Sequence, residues 1–280
     1  MNYSDLPAIH VTLEEKVATV SIDNPPVNLL DEKLIPSLRA FATRVKDDSR
    51  VRVIVFESAN PDLFLAHGEM RFVTEPHRLA AAAAGADIIP GLNAMQSLHE
   101  QIRALPQVTI GKIEGFARGG GHEFLMALNM RFGAIGRTGL SLPEALVGIL
   151  PGGGGTQYLT ALTGHARALE LILSGEPADA ELAERYGLIN RALPAEELDS
   201  FVTTLARRIA TLDLEVIAAV KTLVGAAAAA IDEAALAAEN DAFIKLATAD
   251  DGTLTRRLLA SGAQTLDGER RFEEILLSVR

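Results

Sequence analysis

Residues 115–155 read GFARGGGHEFLMALNMRFGAIGRTGLSLPEALVGILPGGGG. Three consecutive glycines, Gly119–Gly121, lead directly into the apolar run Phe124–Leu128, and Glu123 stands where that run begins. Glycine lets a backbone turn tightly and lets another molecule approach it closely. A helix that starts there also offers unpaired N–H groups to an anion. Glu144 follows at a second predicted helix start, so the stretch combines backbone donors with two carboxylates, the components of an acid–base enzyme.

Short β-rich segments flank this stretch and alternate with helical patterns. Ile9–Leu13 and Val17–Ile22 predict a hairpin, and the continuous apolar run Val51–Phe56 predicts a strand buried on both faces. Val108–Glu114 and Met130–Ile135 predict two more strands on either side of the glycine run. This alternation of strand and helix predicts an α/β core with parallel pairing.

Helical patterns fill the intervals between these strands. Asp31 predicts the N-cap of a helix that runs to about Lys46, and Leu92–Leu105 predicts another helix that ends before Pro106. Val73–Gly91 is rich in alanine and interrupted by proline and glycine, so we expect a mobile or irregular piece with a short helix.

The pattern changes after Pro194, where helical segments follow one another without strands. The elements predicted after the second glycine run are helices Thr156–Thr163, Ala166–Leu173 and Ala178–Tyr186, strand Leu188–Leu193, and helices Glu196–Leu212, Asp213–Val224 and Asp232–Ala247. We therefore divide the chain into a core, residues 1–194, that carries the active site, and a C-terminal helical region, residues 195–280.

Composition excludes several classes of function. The 280 residues are 48% hydrophobic and 22% charged, as in ordinary globular proteins. A net charge of −11 argues against nucleic acid or an anionic membrane as the main partner. The absence of cysteine excludes thiol nucleophiles, disulfides and thiolate metal sites. With no secretory signal pattern and no apolar run long enough to span a bilayer, we expect a soluble, cytoplasmic protein.

Other motifs fail, and both carboxylates have a purely structural alternative. Gly152–Gly155 lacks the Gly-Lys-Ser/Thr of a nucleotide-binding loop, and Gly119–Gly121 lacks the full dinucleotide fingerprint. No histidine spacing predicts a metal site. Glu123 could simply complement a helix dipole. Glu144 together with Ser141 fits a capping box.

Four motifs together resemble those of the crotonase, or enoyl-CoA hydratase/isomerase, superfamily. They are, in order, DNPPVN at Asp23–Asn28, FLAHGE at Phe64–Glu69, GGGHE at Gly119–Glu123, and LPE through PGGGGTQ within Leu142–Gln157. The resemblance covers the core from the hairpin to Leu193. It implies a crotonase-like α/β fold, a spiral of ββα units forming near-perpendicular sheets, followed by a C-terminal helical trimerisation region.

The resemblance also implies a site. An acyl-CoA thioester would bind with its carbonyl oxygen between the backbone amides of Gly68 and Gly120, an oxyanion hole. Glu123 and Glu144 fall on the family's two catalytic glutamates, one of which would activate water while the other delivers a proton. The positions expected to bind substrate are Ala66, His67 and Gly152.

An enoyl-CoA hydratase-like lyase of fatty-acid metabolism is therefore the leading hypothesis. The alternatives are a double-bond isomerase of the same superfamily and a non-catalytic acyl-CoA-binding protein. We expect no metal or redox cofactor, coenzyme A only as part of the substrate, and a homotrimer or dimer of trimers.

This sequence departs from the family pattern beside the site. His67 stands where the family usually has glycine and Glu69 where it usually has aspartate, which bears on the shape of the acyl pocket. Lys33, Arg71 and Arg118 are the nearby basic candidates for contacts with the phosphates of coenzyme A.

Overall fold

Two sheets carry the fold in the computed structural model, which describes residues 1–228, 232–249 and 252–279. The strands are β1 Ile9–Glu14, β2 Val17–Ile22, β3 Val53–Ser58, β4 Leu63–Leu65, β5 Val108–Ile113, β6 Phe116–Arg118, β7 Met130–Ala134, β8 Gly139–Ser141, β9 Ala178–Asp179 and β10 Arg191–Leu193. A six-stranded sheet has the order β1-β2-β3-β5-β7-β10, and a four-stranded sheet has the order β4-β6-β8-β9.

Helices connect and cover the two sheets. They are α1 Leu34–Val45, α2 Pro76–Ala83, α3 Ala94–Arg103, α4 Gly120–Met126, α5 Gly155–Thr163, α6 His165–Ser174, α7 Ala180–Tyr186, α8 Ala195–Ala210, α9 Leu214–Ala227, α10 Glu233–Ala247, α11 Thr253–Ala260, α12 Leu266–Arg270 and α13 Phe272–Val279. Short 3-10 turns span Met70–Phe72 and Pro143–Val147.

The larger sheet confirms the predicted hairpin and parallel core. β1 and β2 pair antiparallel, with Ile9 opposite Ile22, and every later pair in this sheet is parallel. β3 lies between β2 and β5, and its residues Val53–Phe56 are all buried. A continuous apolar run therefore marked a central strand, although β3 begins two residues later than predicted.

Helix α8 covers one face of the larger sheet through a single apolar stripe. Leu198, Val202, Ala206 and Ala210 recur every fourth residue, lie on one side of the helix and are buried against strand residues such as Ile110. Full burial of a leucine or valine side chain stabilises a fold by roughly 1.5–3 kcal/mol. This stripe fixes the position of the first helix of the C-terminal region on the core.

The smaller sheet brings the motifs together. β4, β6 and β8 are parallel, so their carboxyl ends lie at one edge of the sheet. The segment 66–69 follows β4, the glycine run follows β6, and the turn that carries Glu144 follows β8. The sequence did not predict this sheet, because its strands have only two or three residues and too few positions to show an alternating pattern.

Two of the predicted helices begin later in the structure than the sequence suggested. Asp31 Oδ1 accepts hydrogen bonds from the N–H groups of Lys33 and Leu34, so it caps α1 as expected, but the helix begins at Leu34. Ala178 and Asp179 form β9 instead of opening a helix, and α7 starts after them. The alanine-rich piece does contain a short helix, α2.

The C-terminal region folds back onto the core. Among the residues described after Pro194, all regular elements are helices. Residues 229–231, 250–251 and 280 of the predicted helical region lie outside the described residues. No helix in the described part of the chain is both long and apolar enough to cross a membrane. The division at Pro194 and the cytoplasmic location stay predictions.

Candidate active site

Two backbone N–H groups converge at the edge of the smaller sheet. A Cβ placed on Gly120 would lie 3.7 Å from the nitrogen of Gly68, so the two residues adjoin. Leu30 fixes the segment around Gly68 by donating to His67 O at 3.0 Å and accepting from Glu69 N at 3.1 Å. Neither glycine N–H has a hydrogen-bond acceptor within the described residues, and both glycines are partly exposed. The pair can therefore donate to a ligand oxygen.

Glu123 is buried in the first turn of α4. Its side chain is only 3% exposed, and Oε1 accepts hydrogen bonds from the N–H groups of Gly153 and Gly155, each at 2.8 Å. Burial raises the pKa of Glu123 well above its usual range, and the negative charges of Glu144 and Glu239 raise it further. The hydrogen bonds from Gly153 and Gly155 lower it, but by less. The protonated form of Glu123 is therefore favoured in the folded protein.

Glu144 lies in the 3-10 turn Pro143–Val147, and its side chain approaches Gly119. Its Oε1 lies 2.5 Å from the point that a Cβ on Gly119 would occupy, and Gly119 has a φ of +48°, so glycine is required there. Burial raises the pKa of Glu144 to about 7, while its own backbone N–H and His67 lower it and Glu239 raises it. Glu144 thus titrates near neutral pH.

The capping-box interpretation of Glu144 is wrong. Ser141 is the last residue of β8, and its Oγ is buried without a hydrogen-bond partner in the described chain. No side chain caps the turn that begins at Pro143. The carboxylate points instead toward Gly119, and its Oε2 is buried and likewise unpaired among the described residues.

The two glutamates form one acid–base unit. Glu123 is buried and Glu144 half-buried; loss of solvation raises both pKa values and the negative charge of Glu144 raises that of Glu123 further, so the two carboxyl groups do not ionise independently. Loss of the first proton from such a pair makes loss of the second harder, so one group can be neutral while the other is ionised. One group can then donate a proton while the other accepts one.

Glu239 is a third buried carboxylate, which the sequence did not identify. It comes from α10 and accepts from Gly154 N at 2.6 Å, Thr156 N at 2.9 Å and Gln96 Nε2 at 3.1 Å, as well as from the Thr156 hydroxyl. Successive N–H groups of residues 153–156 therefore alternate between Glu123 and Glu239. Glu239 follows Leu236 by three residues, and this helical spacing is the feature of the sequence that could have placed it on the buried face of α10.

The three positions predicted to bind substrate differ in their surroundings. Ala66 is fully buried, and its N–H donates to Asn28 O at 3.3 Å. His67 is 6% exposed and turns its ring toward α12 and α13. Gly152 accepts a hydrogen bond from Asn93 Nδ2 at 2.7 Å, while its N–H finds no acceptor in the part of the chain described. Their role in substrate binding stays a prediction.

The nearby basic side chains are not equally available. Arg118 is 1% exposed and donates to Glu273 at 2.8 and 3.2 Å, so it cannot reach a phosphate in solvent. Arg71 pairs with the buried Glu69 at 2.5 Å. Lys33 is exposed at the start of α1. The structure thus removes Arg118 from the candidates for contacts with coenzyme A.

Comparison with known proteins identifies the family. A sequence profile of the enoyl-CoA hydratase/isomerase family matches residues 12–257. The chain belongs to this family. The resemblance stated from the four motifs is therefore confirmed.

Solved structures agree with the crotonase-like α/β fold. A Streptomyces avermitilis protein provisionally assigned as an enoyl-CoA hydratase is 45% identical, with a TM-score of 0.90 and 98% of both chains covered. Pseudomonas aeruginosa DspI is 27% identical, with a TM-score of 0.73 over 89% of this chain and 99% of that one. The Bacillus anthracis enoyl-CoA hydratase, 24% identical, supports the fold alone, with a TM-score of 0.71 over 91% and 95%.

Proposed function

We propose that this protein is an enoyl-CoA hydratase-like lyase, which adds water to, or removes it from, the double bond of an acyl-CoA thioester. One observation carries the proposal: Glu123 and the half-buried Glu144, both with raised pKa values, adjoin two backbone N–H groups that have no acceptor among the described residues. Membership of the family makes an acyl-CoA substrate the natural occupant.

The backbone donors serve the carbonyl end of the substrate. In this proposal the thioester oxygen accepts from the N–H groups of Gly68 and Gly120. When the oxygen of water bonds to the β-carbon, the electron pair of the double bond moves toward the carbonyl and negative charge develops on that oxygen. Two fixed donors stabilise this enolate without reorganising, which is commonly the largest single contribution to such a reaction.

The glutamate pair serves the two proton transfers. Water gives one proton to an ionised carboxylate as it attacks, and the α-carbon takes one proton from a neutral carboxyl group. A singly protonated pair of Glu123 and Glu144 provides both forms at the same pH and returns to one proton after each turnover. We keep the N–H of Gly152 as a donor to the attacking water, because none of the residues described accepts a hydrogen bond from it.

A spectrophotometric assay of crotonyl-CoA hydration tests the proposal. We expect the wild type to consume the conjugated enoyl thioester, and Glu123→Gln and Glu144→Gln each to lose at least about two orders of magnitude in rate. Glu184→Gln, an exposed change on α7, serves as the control and should leave the rate unchanged.

The product decides between the alternatives. A 3-hydroxyacyl thioester supports hydration. A shifted double bond would instead indicate an isomerase, and thioester binding without turnover would indicate a non-catalytic acyl-CoA-binding protein. Either of these two outcomes rejects the proposal.

We also propose that the reaction uses no metal or redox cofactor, with coenzyme A entering only as part of the substrate. The reason is that acid, base and oxyanion donors all come from side chains and backbone of this chain. Hydration of an enoyl thioester moves protons and no net electrons, so the proposed groups suffice.

A homotrimer or a dimer of trimers completes the proposal. Helix α9 presents a stripe of apolar side chains that are 50–71% exposed: Val216, Val220, Leu223 and Val224. Their spacing places them on one face, and an exposed apolar stripe of this kind marks a protein–protein contact. Sedimentation velocity measures the assembly directly.

A further inference from the structure

Both ring nitrogens of His67 face hydrogen-bond acceptors. Nδ1 lies 2.7 Å from Gly68 O and Nε2 lies 3.2 Å from Glu269 Oε1. A backbone carbonyl can only accept, so Nδ1 must carry a hydrogen. Glu269 Oε1 also accepts the N–H of Gln264 at 2.8 Å, which fits an ionised carboxylate. A neutral ring would then turn a lone pair toward this ionised carboxylate, so the geometry favours the doubly protonated imidazolium.

The groups packed around His67 favour this charged form. Glu269 on α12 is fully buried, and its pKa is held below its usual range because His67, the N–H of Gln264 and Arg118 outweigh the effect of burial. Arg118 on β6 opposes the charge on His67 but is itself paired with Glu273. The Phe272 ring on α13 stacks on the imidazole at 5.1 Å. Burial alone would lower the pKa of His67, but Glu269 and the Gly68 carbonyl leave it raised.

The imidazolium lies beside the catalytic pair. The point that a Cβ on Gly119 would occupy is 3.7 Å from His67 Cβ and 2.5 Å from Glu144 Oε1. Both side chains therefore adjoin Gly119, and a charge on His67 lowers the pKa of Glu144. The same histidine immediately precedes Gly68 and hydrogen-bonds its carbonyl, so it also holds the segment that supplies one of the two backbone donors.

We propose that His67 is a positioning residue that Glu269 holds as a fixed imidazolium, and that this cation favours the ionised form of Glu144 while it clamps the Gly68 segment to α12. The part concerning Glu144 rests on the proposed function; the part concerning the charge of His67 does not. An opposite charge at this range lowers a carboxyl pKa by about one unit or more.

Nuclear magnetic resonance of histidine side chains in the full-length protein tests the charge directly. Ring nitrogens of 15N-labelled protein are followed from pH 5.5 to 9, and the His67 signals are assigned by their loss in His67→Gln. We expect His67 to stay doubly protonated through neutral pH. Glu269→Gln should lower its midpoint by at least about one unit. A neutral His67 at pH 6, or a midpoint that Glu269→Gln does not move, overturns the proposal.

His99 provides a matched internal reference. It is also buried, and its Nδ1 also lies 2.7 Å from a backbone carbonyl, that of Gly153, but its Nε2 has no hydrogen-bond partner within the described residues. Burial lowers the pKa of His99 to about 4. Its signals should therefore stay those of a neutral ring throughout, which isolates the effect of Glu269.

The pH dependence of hydration tests the effect on Glu144. His67→Gln and Glu269→Gln should both move the acidic limb of kcat/KM upward by about one pH unit, so the loss of rate should be about tenfold larger at pH 6 than at pH 9. A uniform loss at every pH would show only a structural role and reject the proposal. If the wild type lacks hydratase activity, the proposed function fails while the magnetic resonance result still decides the charge of His67.

Discussion

Replacing Glu144 by glutamine should stabilise the protein at pH 8 and much less at pH 5. Burial raises the pKa of Glu144 from 4.5 to about 7, so its charged form is disfavoured in the folded state. Between these values the folded protein holds a proton that the unfolded chain has already lost. The free energy of unfolding therefore falls as the pH rises from about 4.5 to about 7, and it stays low above that range.

The size of the effect follows from the shift. One pKa unit corresponds to 1.36 kcal/mol, so ionised Glu144 costs the folded state about 3 kcal/mol above pH 7 and less than about 1 kcal/mol at pH 5. Glutamine keeps the shape and carries no charge. The stability gained by Glu144→Gln should thus be about 2 kcal/mol larger at pH 8 than at pH 5, or roughly 4–8 °C in Tm.

Urea unfolding and thermal melts at the two pH values measure this difference. Protein concentration is kept constant, because assembly contributes to apparent stability. Glu184→Gln, exposed on α7, is the matched change and should give the same small effect at both pH values. A gain for Glu144→Gln that is equal at pH 5 and pH 8, or absent at pH 8, would refute the reasoning from burial.

Two further predictions concern the surroundings of the pair. Glu239→Gln should move the acidic limb of kcat/KM to lower pH, because Glu239 raises the pKa of both glutamates. This shift is opposite to the one expected for His67→Gln. A pH–rate profile measures its direction, and a shift to higher pH would contradict the prediction. Gly120→Ala places a methyl group 3.7 Å from Gly68 N, between the two donors, so kcat/KM should fall by about 100-fold or more while Tm changes little. Full activity in that variant would place the thioester oxygen elsewhere.

The larger sheet was predictable from local sequence, whereas the smaller sheet was not. β2 and β3 are runs of six residues rich in β-branched side chains, and their buried positions follow from those runs. β4, β6 and β8 have three residues each, so their pairing depends on contacts between distant parts of the chain. Four linked motifs, not strand patterns, pointed to the edge where the site forms.

The site could be located from the sequence, but its electrostatics could not. Gly68, Gly120, Glu123 and Glu144 came from the motifs, and the structure brings them to one edge of the smaller sheet. The pKa values of the glutamates depend on burial, which a motif does not report. The charge on His67 depends on Glu269, 202 residues further along the chain, and no spacing rule connects positions so far apart.

The C-terminal region also contributes to the electrostatics of the site. Helix α10 supplies Glu239, which accepts hydrogen bonds from the N–H groups of Gly154 and Thr156. Glu123 accepts from the neighbouring N–H groups of Gly153 and Gly155. Helix α12 supplies Glu269, which holds His67 on the other side of the site. Burial raises the pKa of Glu144 to about 7, and on top of that effect His67 lowers it and Glu239 raises it. Glu239 and Glu269, the partner of His67, both lie on helices that pack onto the core. Displacing either helix should therefore change the pKa values of the glutamate pair even if every motif residue stays in place.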